Sequence, residues 1–117
     1  MNIDFGKKYE PFREEVRQFL QDNLTDELRD AQRFCPGIFL DYEYNIEWHK
    51  ILFKQGWVAP AWPKEYGGTG WDLMEKYIWS RETSLANAPH TAPMGLGMCG
   101  PMLIGCGSDE QKTELLP

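Results

Sequence analysis

The feature that most restricts the fold is the spacing of apolar residues, which is helical in every periodic segment. From residue 10 to residue 24, large apolar side chains recur at steps of three and four residues, so they share one helix face. They are Phe12, Val16, Phe19, Leu20 and Leu24. No segment alternates with the period of two that a half-buried strand shows. The spacing therefore predicts an all-α chain.

Local signals predict where the next helices begin and end. Thr25 is the expected N-cap of a short second helix, and Asp41 is the expected N-cap of a third, which Gly56 should terminate. The third helix carries one stripe of mainly apolar residues, namely Tyr44, Trp48, Ile51, Leu52 and Gln55.

Two capping boxes predict the starts of a fourth and a last helix. Asp72 is followed by Glu75, and Ser108 by Gln111, at the spacing that satisfies two backbone N–H groups reciprocally. We expect the last helix to run into Pro117. The apolar face predicted for the fourth helix consists of Met74, Tyr77, Ile78 and Leu85.

A long connection, "GWVAPAWPKEYGGTGWD", separates the third helix from the fourth. Its prolines stiffen the chain, and we expect Gly67, Gly68 and Gly70 to supply turns with positive φ. Its three tryptophans can bury large apolar area, which predicts a rigid, anchored loop. The loop lacks the lysine and the preceding strand of a phosphate-binding P-loop.

A fifth, glycine-rich helix is predicted from about Met94 to Cys106, and it is apolar on nearly every side. Glycine in a helix costs up to about 1 kcal/mol relative to alanine, so we expect another backbone or a ligand to approach closely. The side chains of Met94, Leu96, Met98, Met102 and Leu103 fit either an ordinary core or the wall of a hydrophobic cavity.

The same segment contains the pattern G-x-G-x-x-G at Gly95, Gly97 and Gly100. A dinucleotide site needs a strand leading into that turn, whereas here "NAPHTAP" precedes it. We therefore do not interpret the pattern as a Rossmann fingerprint.

The overall charge and hydropathy restrict the partners. A formal net charge of -6 disfavours binding to nucleic acid, because like charges repel. Apolar stretches are far shorter than the ~20 residues of a membrane span, and the first residues show no signal core. We expect a cytoplasmic protein without a membrane span.

Cysteine and histidine give no catalytic or metal site by spacing. Cys35, Cys99 and Cys106 form an odd set, which we interpret as reduced thiols in the core. His49 and His90 have no second ligand at a metal-like spacing. We assign no metal and no catalytic residue to this chain.

Taken in order, the stretches "GWVAPAWPKEYGGTGW" and "GSDEQKTELLP" resemble the N-terminal domain of the acyl-CoA dehydrogenase family. The resemblance covers nearly the whole chain. It implies an orthogonal bundle of about five to six helices over residues 1–117, with the family's β middle domain and C-terminal helical bundle absent from this sequence.

The resemblance also implies a reaction. Family members hold FAD and an acyl-CoA thioester, a glutamate removes the α-proton, the β-hydride passes to the flavin, and electrons leave to an electron-transfer flavoprotein. That glutamate and most FAD contacts belong to the absent domains, so the chain should be inactive alone. A homo-oligomer or hetero-oligomer is implied as well.

For the fifth helix, the resemblance implies a wall of the acyl cavity. Met94, Gly95, Met98 and Cys99 become the candidate substrate-binding residues, with simple core packing as the alternative. For the loop between the third and fourth helices, it implies a brace between helices and a contact to another domain.

Two other functions stay open. The chain can be a free-standing helical interaction module that has lost the chemistry, or a subunit whose site a partner completes. Which acyl-CoA is bound does not follow from these residues.

Overall fold

A computed structural model of the chain describes residues 6–37 and 39–116, and in these ranges it contains helices and no strand. The six α-helices are α1 (Glu10–Asn23), α2 (Asp26–Arg33), α3 (Tyr42–Gln55), α4 (Leu73–Leu85), α5 (Gly100–Cys106) and α6 (Asp109–Leu115). A π-helical turn, Met94–Cys99, leads directly into α5, and two short 3-10 turns occupy Lys7–Tyr9 and Lys64–Tyr66. The predicted all-α fold class is confirmed.

Most of the predicted helix ends are confirmed. Thr25 accepts a hydrogen bond from the N–H three residues ahead (3.2 Å), and both capping boxes, at Asp72 and at Ser108, are complete. Gly56 ends α3 in the left-handed conformation, with φ 78°. Asp41 occupies the N-cap of α3, but its side chain makes no capping hydrogen bond. The last helix ends at residue 115, and residue 117, into which we predicted it to run, lies outside the described ranges.

The core lies between α1, α3, α4 and the long loop. Apolar residues from all four elements are buried together, including Val16, Phe19, Leu20, Trp48, Leu52, Trp57, Trp62 and Trp79. Aromatic rings dominate the core: Phe19 and Trp57 have centroids 4.8 Å apart, and Trp57 and Trp79 meet edge to face at 5.4 Å. Such contacts add about 0.5–1.5 kcal/mol each beyond the buried area.

The predicted apolar face of α4 is partly wrong. Ile78 is buried as expected, but Tyr77 and Leu85 are 49% and 64% exposed, while Trp79 and Glu82 are buried instead. The physical reason is that α4 packs on α1, where a tryptophan fills the aromatic core and a carboxylate meets two arginines. Contacts with these partners determine which face of α4 is buried more than the spacing of its apolar residues does.

The long loop is anchored by its tryptophans, as predicted. Trp57 and Trp62 are 8% and 7% exposed, and Trp71 is half-buried. Gly67 and Gly70 have the expected positive φ, whereas Gly68 does not. Glycine is required at position 68 for a steric reason, because a Cβ there would lie 1.8 Å from the carbonyl oxygen of Trp62.

The expectation that the cysteines are core residues is wrong. Cys99 and Cys106 are exposed and Cys35 is half-buried, all three as free thiols. Cys99 and Cys106 both lie on segment 94–106, whose outer face is not covered by any residue in the described ranges. Separately, within the described ranges, no helix has the length and apolar character needed to cross a bilayer.

Candidate functional site

The segment 94–106, formed by the π-helical turn and α5, has two different faces. On its inner face Gly100 is buried, and Leu96 and Ile104 pack against the core. On its outer face, Met94 and Met98 are 64% and 67% exposed. An apolar helix that is covered on only one side by its own chain has a face available for a ligand or a partner.

Close approach to the helical glycines occurs at one position on the inner face. A Cβ on Gly100 would lie 2.0 Å from the indole carbon Cζ2 of Trp62. At Gly95, Gly97 and Gly105, a Cβ would meet no atom within 4 Å from elsewhere in the described part of the chain. The expectation that several of these glycines are closely approached is therefore wrong for the contacts within this chain.

A hydrogen bond joins the long loop to the same turn. The indole Nε1–H of Trp62 donates to the carbonyl oxygen of Leu96 at 2.8 Å. In the turn itself, the N–H of Gly100 donates to the carbonyl oxygen of Gly95, five residues back, as a π-helical register requires. The tryptophan thus touches the turn through both its ring and its N–H.

An open apolar groove of about 450 Å³ runs along the outer face. It is lined by Met94, Gly95, Met98, Cys99 and Met102. All four predicted substrate-binding residues therefore lie side by side on one surface. None of the five lining residues is of a charged type, and the thioethers are flexible and polarisable, so the groove suits an apolar ligand of variable shape.

Met102 belongs to this surface and was absent from the predicted site residues. Its signal was present in the sequence, because it follows Met98 by four residues, the spacing that places two side chains on the same helix face. The methionine, at 59% exposure, extends the apolar surface along α5.

A second apolar cavity of about 220 Å³ adjoins the groove and shares Met94 with it. Its other walls include Phe39, Leu40 and Tyr42. The backbone beside it is held by α3, because the side-chain amide of Asn45 donates to the carbonyl oxygen of His90 at 2.8 Å. Of the two histidines, His90 is among the residues that line this cavity, whereas His49 lies on α3.

A third cavity, of about 230 Å³, is partly polar and includes His90, Ser80, Thr83 and Ser84 among its lining residues. Two of its hydroxyls donate to carbonyl oxygens of their own helix, Thr83 to Trp79 and Ser84 to Ser80, each at 2.8 Å. Such bonds are the usual role of hydroxyls inside helices. The cavity presents no pairing of a nucleophile with a base.

The buried carboxylate of Glu82 is a structural ion pair. Arg13 and Arg17 donate to its two oxygens at 3.1 and 2.9 Å. Burial opposes ionisation of Glu82, but the hydrogen bonds from the two arginines outweigh it and lower its pKa. A carboxylate held ionised by two guanidinium groups is poorly suited to accept a proton.

Within the described ranges, no three or more His, Cys, Asp or Glu side chains are grouped so that they could hold a metal ion.

Comparison with known proteins finds similar sequences over nearly the whole chain. The sequence model described as "Acyl-CoA dehydrogenase, N-terminal domain" matches residues 7–117. The chain is 32% identical over its whole length to "Acyl-CoA dehydrogenase FadE26" of Mycobacterium tuberculosis. It is 34% identical over 109 residues, 91% of the chain, to "Acyl-CoA dehydrogenase IpdE1" of Mycolicibacterium smegmatis.

A solved structure is similar over the entire chain. The "ChsE4-ChsE5 complex from Mycobacterium tuberculosis" contains a chain that matches with a TM-score of 0.73 and 31% identity. Our chain covers 28% of that chain, and 29% and 28% of the two relatives named above. It thus spans about three tenths of the length of the proteins it resembles.

Proposed function

Because this chain belongs to the acyl-CoA dehydrogenase family, of which it matches the N-terminal domain, we propose that it binds the acyl group of an acyl-CoA thioester. The full reaction in this proposal is a FAD-dependent α,β-dehydrogenation. The chain supplies one wall of the acyl pocket and does not turn over substrate alone.

The observation that carries the proposal is the uncovered apolar groove of 94–106. Its lining residues present three exposed methionines and no charge in an otherwise acidic protein. An acyl chain gains about 0.8 kcal/mol for each methylene that it buries, so even a partial wall contributes to binding. Met94, Gly95, Met98 and Cys99 are the proposed contacts to that chain.

The groove does not fit FAD. A flavin dinucleotide carries a diphosphate, which calls for cationic side chains or an anion-binding backbone turn. The side chains along the groove offer thioethers and a thiol. We therefore derive no step in which these residues hold the flavin.

The wider proposal concerns the rest of the assembly. A β-rich middle domain and a C-terminal helical bundle lie outside residues 1–117 in this proposal, and an electron-transfer flavoprotein accepts the electrons. The solved relative is described as a complex, which supports assembly of this chain into an oligomer. Free thiols at Cys35, Cys99 and Cys106 support a reducing compartment, the cytoplasm.

The proposal is tested by titrating the chain, carrying 13C-labelled methionine methyl groups, with octanoyl-CoA and separately with CoA alone. Met94, Met98 and Met102 should shift with octanoyl-CoA and not with CoA, because the acyl chain makes the contact. Met74, on α4, is an internal reference because it does not line the groove.

A matched pair of variants sharpens this test. Met98→Lys places a charge in the groove and should abolish the shifts, whereas Leu73→Lys, at an 86% exposed site on α4, should leave them unchanged. Equal shifts with CoA alone, or no effect of Met98→Lys, would contradict the proposal. Turnover of octanoyl-CoA by the chain alone with an artificial electron acceptor would contradict the assignment of the chemistry to other domains.

The interaction module is the second candidate, favoured by the same exposed methionines. A protein partner would also cover them, but it would not require an acyl group. Two results together would favour this candidate over acyl binding. A co-purified protein would shift the methionine signals in the absence of octanoyl-CoA, and octanoyl-CoA would not shift them.

A further inference from the structure

We propose that Trp62 is a positioning residue of the groove: its indole N–H replaces a backbone donor that Pro101 lacks, and so holds the π-helical register of Met94–Cys99. This inference rests on the proposed function for the identity of the groove's ligand. The structural role of Trp62 can be measured without that ligand.

The argument begins with Pro101. In an α-helical register its nitrogen would donate to the carbonyl of Gly97, but proline has no N–H and its ring collides with that carbonyl. The wider π-helical turn just before it, Met94–Cys99, relieves the collision. The sequence G-P within an apolar helix is therefore a physical cause of the local change in register.

The π-helical register leaves the carbonyl of Leu96 without a helical donor. The N–H of Gly100 donates to the carbonyl oxygen of Gly95, five residues back, so it does not serve the carbonyl of Leu96. The next donor in that register would be residue 101, which is proline and cannot serve the carbonyl of Leu96. Trp62 donates to that carbonyl at 2.8 Å from the long loop.

The ring of Trp62 adds a steric constraint. Gly100 has room for no Cβ, because the indole lies against its Cα, and the tryptophan is 7% exposed. The side chain of Trp62 therefore has two effects. It donates the hydrogen bond that the carbonyl of Leu96 needs, and its ring fixes the distance between the turn and the long loop. The residues on the far side of this turn, Met94, Gly95, Met98 and Cys99, line the groove.

Loss of the indole donor should change the register. With the carbonyl of Leu96 unsatisfied, the Gly100 N–H can serve it by shifting from Gly95, which restores an α-helical bond between residues four apart. The collision of the Pro101 ring with the carbonyl of Gly97 is then relieved by a kink in the helix at that point. Side chains on the turn would then rotate relative to α5, and the methionine surface would change shape.

The experiment measures scalar coupling across hydrogen bonds in the labelled chain. In the unaltered chain, the Gly100 nitrogen should couple to the Gly95 carbonyl carbon. In Trp62→Phe, this coupling should be lost and one to the Leu96 carbonyl carbon should appear, with octanoyl-CoA binding weakened by about fivefold, as for loss of one hydrogen bond. Should Trp62→Phe fail to fold, β-(3-benzothienyl)alanine at position 62 keeps the ring shape and removes the N–H.

Trp71→Phe is the matched control. Trp71 lies in the same loop as Trp62, and its ring packs against Trp57 with centroids 5.2 Å apart, whereas the hydrogen bond to the turn comes from Trp62. Trp71→Phe should keep the coupling to Gly95. The proposal is overturned if Trp62→Phe also keeps it, or if Trp71→Phe loses it equally. No shift with octanoyl-CoA in the unaltered chain would count against the proposed function alone, because the coupling is read without ligand.

Discussion

Adding one methyl group to segment 94–106 should have opposite effects on stability at two glycines. At Gly100, an ideal Cβ lies 2.0 Å from Cζ2 of Trp62, with two further ring atoms of the indole at 2.7 and 2.8 Å. Carbon atoms pack at about 3.5–4.0 Å, so Gly100→Ala requires a displacement of about 1.5 Å or more. The indole cannot move freely, because it is buried and its N–H bonds to Leu96.

The magnitude follows from two opposing effects. Overpacking of this kind costs about 1–3 kcal/mol, and replacing a helical glycine by alanine returns up to about 1 kcal/mol. Because the required displacement is large, the overpacking cost should lie in the upper part of that range, about 2–3 kcal/mol, so we expect Gly100→Ala to lower the free energy of unfolding by about 1–2 kcal/mol. Gly105→Ala, on the same helix with nothing within 4 Å of its Cβ, should raise that free energy by up to about 1 kcal/mol.

The assay is urea unfolding followed by far-ultraviolet circular dichroism, with Tm as a second measure. For a chain of this size, 1 kcal/mol corresponds to about 4 °C, so Tm should fall by about 4–8 °C for Gly100→Ala and rise by up to about 4 °C for Gly105→Ala. Changes of the same sign and size at both glycines would refute the packing argument, because helix propensity alone would then explain them.

Other perturbations test the remaining features. Since the ion pairs lower the pKa of Glu82, its carboxylate stabilises the fold above its unfolded-state pKa, and this contribution is lost as pH falls through the lower folded-state value. Glu82→Gln should lower the stability near pH 7 by about 1–2 kcal/mol and flatten the acid limb of a stability-pH curve, whereas an unchanged acid limb would exclude this carboxylate as its origin. Ser108→Ala should reduce the helicity of α6 at a cost of about 1 kcal/mol, measured by backbone chemical shifts, and unaltered shifts would show that the capping bond contributes nothing. The chain should enhance the fluorescence of the dye 8-anilinonaphthalene-1-sulfonate, and Met98→Lys should reduce that signal; an equal signal would place the dye elsewhere.

Features that depend on short stretches of sequence could be predicted, and those that depend on distant partners could not. The caps at Thr25, Asp72 and Ser108 need only residues three positions away, and all three form as expected. The predicted face of α4 failed because Trp79 and Glu82 are buried by groups on other elements. A helical wheel shows only residues of the same helix. It cannot predict that Glu82 is buried, because the two arginines that pair with it lie more than 60 positions earlier.

The candidate site shows the same division. The spacing of Met94, Met98 and Met102 was visible as one helix face, and the structure keeps the three side chains together. Exposure was not visible: Cys99 was expected in the core, and it lies on the open surface. Burial is decided by what packs above a helix face, and nothing in the described part of the chain packs there.

The sequence by itself determined where the helices lie, most of their ends and the loop rich in tryptophan, because capping, proline geometry and apolar spacing act within a few residues. Only the tertiary structure decided that Trp62 meets Gly100 and Leu96, and that the methionines remain uncovered. The physical reason is distance along the chain: residues 62 and 96 are separated by 34 positions, and their contact exists only after the helices have packed.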